Sequence, residues 1–141
     1  MNPNRIPSLL VAALAGLVAT DLVGGVWAAT SGVNTWAGAW GSTALLAAPA
    51  PMVAAQVLLT TIAVRGRRTG AVVAAGLLAT ACLVSVASGF FDGGLGNELL
   101  TGAMAAFQVV LLAVTFLVGV LAMLRAVTLA RTPAPTIPAG A

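Results

Sequence analysis

Three side chains could do chemistry in this otherwise apolar sequence: Asp21, Gln56 and Gln108. Each lies inside a long hydrophobic run, where a carboxylate at the bilayer centre costs at least about 2.5 kcal/mol on insertion scales. Such an acid is protonated, paired or hydrated, and intramembrane acids mark ion pathways more often than other residues do. Gln56 and Gln108 can each donate and accept, so either can satisfy a facing helix or Asp21 itself. The three form a candidate ion or solute site.

Pro49 and Pro51 add a helix break in the run that carries Gln56. Each proline lacks an amide hydrogen and crowds the carbonyl four residues back, those of Leu45 and Ala47, which then need other donors or water. A plainer account stands beside each of these readings. Asp21 could reach the outer interface or bond a neighbouring helix, the glutamines could be interhelical glue worth roughly 0.6 kcal/mol each, and the prolines could be a packing kink.

The elements that must position these residues follow from hydropathy. The chain is 60% hydrophobic and 6% charged, against roughly 25% charged in a soluble domain, so folding in water would leave too little polar surface. Four apolar stretches, at 6–28, 42–64, 70–88 and 99–124, are each near the about 20 residues that a membrane-spanning helix needs. Uniform apolarity excludes the alternating pattern of a membrane β-barrel. The expected fold is an all-α integral membrane bundle of four transmembrane helices, forming one domain over 1–131. A proline-punctuated tail at 132–141 is expected to be disordered in the cytoplasm.

Charge gives the orientation. All six basic residues are arginines: Arg5 before the first stretch, Arg65, Arg67 and Arg68 between the second and third, and Arg125 and Arg131 at the end of the fourth. The opposite connections carry none, and Asp92 and Glu98 fall there. The positive-inside rule therefore predicts both termini in the cytoplasm. The Arg65 to Arg68 cluster reads first as a topology determinant and second as a feature that captures anionic lipid. A start with Arg5, an apolar run and Val26-Trp27-Ala28 also has the outline of a cleaved secretory signal, against which the run is long and Asp21 interrupts it.

Ala15-Gly16-Leu17-Val18-Ala19-Thr20 reappears as Ala75-Gly76-Leu77-Leu78-Ala79-Thr80, and Met52 to Leu59 is echoed by Met104 to Leu111 with a glutamine at the same place. Two matches in the same order predict a duplicated helical hairpin, a parallel repeat about an axis along the membrane normal. In the first span Ala12, Gly16, Thr20, Gly24 and Ala28 recur every fourth residue, which predicts a smooth face that makes this helix central. Trp27, Trp36 and Trp40 lie toward the outer side and are expected to act as interface anchors.

With no histidine, lysine or tyrosine and a single cysteine, Cys82, the usual general bases, Schiff-base nucleophile and triads are missing. No enzyme activity, catalytic residue, cofactor or metal site is expected. A lone acid in the first span of a four-helix chain resembles the small multidrug resistance transporters, whose first-helix glutamate binds proton and drug in a dimer. Asp21 alone carries that likeness, because Thr20 and Leu22 do not reproduce the motif, Asp stands for Glu, and the arginine bias opposes a dual-topology dimer.

The leading functional expectation is a small multi-pass protein acting as a non-catalytic scaffold or accessory subunit. Its partners would be the bilayer and a membrane-protein partner or second copy packed through small-residue faces, with no nucleic acid. The alternative is a proton- or cation-coupled transporter of a small hydrophobic solute using Asp21. Arginine-only, alanine-rich usage suggests a GC-rich bacterium and its cytoplasmic membrane.

Overall fold

The computed structural model describes residues 5–91, 95 and 97–131, over which the chain is all-α. The expected tail at 132–141, and Asp92, lie outside the described residues. The first helix, α1 (Ile6–Thr30), opens with a proline in its first turn, where the missing amide hydrogen has no intrahelical role. It stops where Ser31 N–H bonds the Trp27 carbonyl at 2.9 Å and Gly32 takes φ +79°, a left-handed conformation open to glycine. A single 3-10 turn, Gly38–Trp40, follows. Then come α2 (Ala50–Arg65), α3 (Arg68–Phe91) and α4 (Gly102–Arg131).

α1, α3 and α4 are long and apolar enough to cross a membrane, and α2 is a shorter apolar helix of 16 residues. This is the architecture of an all-α membrane bundle. The second stretch, 42–64, is interrupted at Pro49 and Pro51, where a kinked or broken helix was expected, and the interruption is a break. Helix begins only at Ala50, with Pro49 extended at φ −54°, ψ 139° as its N-cap and Pro51 in the first turn. Proline disfavours helical geometry in the residue before it and is well suited to a first turn. The pair therefore starts a helix rather than kinking one. At about 1.5 Å per residue α2 is about 24 Å long, short of a roughly 30 Å hydrocarbon layer. Residues 42–49 precede it as a non-helical strap, with Leu46 fully buried and Ala47 nearly so.

Among these helices α4 packs on both α3 and α1, while α3 also packs on α2. The α3 and α4 backbones approach closely through small residues. A side chain at Gly119 would meet the Cys82 Cβ at 3.1 Å, and Ala75, Ala79 and Ala122 are fully buried in the same cluster as Leu78 and Val118. Dispersion in tight packing is what holds helices together when lipid is as apolar as the side chains.

α1 is thus not the central helix. Its buried seam is Leu10, Leu14, Leu17, Asp21, Gly24 and Ala28, alternating steps of four and three, which keeps pace with a neighbouring helix. The every-fourth-residue stripe fails because each such step over-rotates by about 40°. It leaves Ala12 and Gly16 exposed, with nothing within 4 Å of a Cβ at Gly16, while Gly24 and Ala28 are buried.

At the arginine-bearing end, two guanidiniums tie helices together. Arg68 donates from Nε to the Leu129 carbonyl (3.1 Å) and from Nη2 to that of Ala130 (3.2 Å), and Arg125 Nε donates to Ala63 (3.3 Å). The last carbonyls of a helix have no intrahelical donor, so Arg68 bonds two such groups of α4 while reaching from the start of α3. Arg68→Ala is expected to lower stability by on the order of 1 kcal/mol, since the bonds are solvent-exposed. Thermal unfolding in detergent checks this, and a midpoint equal to wild type would show that these bonds contribute nothing.

Candidate functional site

Asp21 sits in the α1 seam at 1% exposure, one turn below Gly24. Gly24 has no side chain to keep the strap off α1, because a Cβ there would fall on the Leu46 backbone carbonyl and on the Phe107 ring. The strap therefore lies directly on α1 and turns its backbone toward Asp21. The Ala48 N–H donates to Asp21 Oδ1 at 2.8 Å, and Gln108 Nε2, from α4, donates to the Leu45 carbonyl at 3.4 Å. Asn34, in the connection after α1, closes the outer side of the strap: its Nδ2 donates to the Thr43 carbonyl (2.9 Å) and its Oδ1 accepts from Leu45 N–H (3.3 Å).

A half-enclosed cavity of about 520 Å³ lies behind this strap. Asp21, Gln56 and Gln108, from three different helices, all line it, together with Pro49, so the structure brings the candidate residues to one place. The break at Pro49 and Pro51 is what makes room. Leu17, in the wall, also belongs to the hydrophobic cluster around Leu78 and Cys82. The wall is otherwise mainly apolar, with Leu17, Met52, Leu111 and Leu112 prominent.

The polar groups of the wall fall into two kinds. The hydroxyls of Ser88 and Thr115 are used internally, by the Ser85 carbonyl (3.2 Å) and the Leu111 carbonyl (2.8 Å), and Ser85 Oγ faces Met52 Sδ at 3.9 Å. By contrast Asp21 Oδ2, Gln56 Oε1 and Gln108 Oε1 are buried with no hydrogen-bond partner in the protein. All three are acceptors. Deprotonated, such a set suits a cation or an N–H donor; protonated, Asp21 can itself donate from Oδ2.

Of the three tryptophans, Trp36 is 61% exposed. Trp27 and Trp40 are half-buried. Trp27 packs edge-on against Phe107 (centroids 5.6 Å apart, planes at 75°), and the Trp40 ring lies over Gly25, where a Cβ would collide with it. These two rings pack against the cluster of Ala28, Ala39, Leu46 and Met104. Sequence reasoning missed Asn34 and Thr115. Asn34 gave the signal of an ordinary turn residue, and a hydroxyl in an apolar helix usually bonds its own preceding turn, so neither stood out.

No protein-family model matches this chain, no curated protein matches it, and no solved structure matches it. The geometry of the site carries the functional argument alone.

Proposed function

We propose that this protein binds and moves a small, largely hydrophobic solute that carries a cationic or N–H donor group, coupled to a proton or cation at Asp21. The observation that supports this reading is the presence of unsatisfied, buried acceptors on Asp21, Gln56 and Gln108 around one cavity. A buried acceptor without a donor costs about 1–3 kcal/mol, so three in one wall are a burden on folding that a bound donor or cation relieves. A scaffold or accessory subunit, the leading expectation from sequence, gives those oxygens no role. The mainly apolar remainder of the wall suits the hydrophobic part of the solute.

The orientation belongs to the same proposal. Both termini lie in the cytoplasm of a bacterial cell, as the arginine bias argues, and the strap then closes the cavity toward the outside. Reconstituted protein with an imposed pH or cation gradient should accumulate lipophilic amines or similar cations. No gradient-driven uptake of any member of a broad panel of cations and lipophilic solutes would remove the transport reading.

A further inference from the structure

A second concavity, about 490 Å³, lies between α1 and α2, away from the strap. Val11, Ala15, Ala19 and Leu22 form one wall; Thr60 and Arg65 belong to the other. It exists because α1 and α2 touch only sparsely along this stretch, and the small side chains of Ala15 and Ala19 leave the space open. From Val11 to Leu22 the groove runs about 16 Å along α1, close to one leaflet's half of a roughly 30 Å hydrocarbon core.

Its two polar features are placed at one end. Arg65, in the last turn of α2, stands at the mouth, on the end of the bundle that carries the other arginines. Its guanidinium is paired with no acid among the described residues, and the chain's acids, Asp21, Asp92 and Glu98, all lie elsewhere in the sequence. Thr60 is 3% exposed, its hydroxyl has no partner in the protein, and it lies about 7 Å deeper than Arg65 along the helix. We infer that this groove is a binding site for an anionic glycerophospholipid of the arginine-side leaflet. The headgroup phosphate meets Arg65, the Thr60 hydroxyl donates to an ester carbonyl, and one acyl chain lies along Ala15 and Ala19. The shape alone would suit any acyl chain; the guanidinium of Arg65 selects the anionic ones. This site is independent of the cavity behind the strap.

The test uses full-length protein purified in mild detergent, challenged with palmitoyl-oleoyl phosphatidylglycerol or with phosphatidylcholine of the same chains, and read by native mass spectrometry. Wild type should retain phosphatidylglycerol about fivefold better, the preference that one interfacial arginine gives. Arg65→Gln should bring the two lipids to parity. Ala19→Phe, at an exposed position, should lose both lipids while circular dichroism shows the helices intact. Equal retention of the two lipids by wild type, or an undiminished preference in Arg65→Gln, would overturn the inference. So would a dimer that Ala19→Phe converts to monomer with lipid retention unchanged, because the groove would then hold a second copy of the chain.

Discussion

Asp21→Asn should reduce gradient-driven solute flux in proteoliposomes to background while the bundle stays folded. Asparagine keeps a side-chain carbonyl where Asp21 Oδ1 accepts the Ala48 N–H at 2.8 Å, so the strap keeps its anchor on α1. What it loses is the second carboxylate oxygen, Oδ2, which is buried without a partner and is the atom that can take up and release a proton or face a cation. Asp21→Leu removes both functions. It leaves the Ala48 N–H without its acceptor, at a cost of about 1–3 kcal/mol, and should lower the thermal midpoint where asparagine does not. The pair separates chemistry from architecture: flux lost in both, stability lost only in leucine. If Asp21→Asn transports as well as wild type, the coupling site is not at Asp21 and the proposed mechanism fails.

The largest structural effect is expected at Gly24. In Gly24→Val the new side chain would occupy the place of the Leu46 carbonyl and press on the Phe107 ring, and a backbone group cannot rotate aside. Overpacking of a well-filled core costs about 1–3 kcal/mol, occasionally more, and here the strap must lift off α1. Lifting it breaks the Ala48–Asp21 and Gln108–Leu45 bonds together, so the loss should reach or exceed the upper end of that range. Gly16→Ala is the contrast. Gly16 belongs to the same sequence stripe but meets nothing within 4 Å, and alanine favours helix over glycine by roughly 1 kcal/mol. Thermal unfolding of the two variants in detergent should therefore move in opposite directions. Equal midpoints would mean that the strap is not seated on α1 as described.

That contrast also shows where sequence reasoning stops. Ala12, Gly16, Thr20, Gly24 and Ala28 look alike on paper, because spacing reports which residues share a helix face but not which neighbour that face meets. Only the 3-and-4 alternation through Leu10, Leu14, Leu17 and Asp21 follows the true seam. The exposed Gly16 and buried Gly24 are distinguishable only once α4 and the strap are in place. The second span shows the same boundary in another form. Hydropathy marked 42–64 as apolar, correctly, yet it is indifferent to whether an apolar segment is helical. Pro49 and Pro51 were legible as an interruption, and their effect, a late helix start behind a buried strap, depended on Gly24 making room and on Asp21, Asn34 and Gln108 supplying the bonds.

Transfer free energy is a sum over residues, so long, uniformly apolar runs were enough to specify an all-α bundle built for an apolar solvent, and the order of charges along the chain put the arginines at alternate ends of those runs. The unusual cost of a carboxylate and two amides in such runs likewise singled out Asp21, Gln56 and Gln108 before any coordinates. Their meeting around one cavity, each with an oxygen left over, could not be read from the chain, because it arises from contacts between residues as far apart as Leu45 and Gln108. Long-range approach of that kind depends on how helices rotate and shift against one another, and that is set by the packing of the whole bundle at once rather than by any local run.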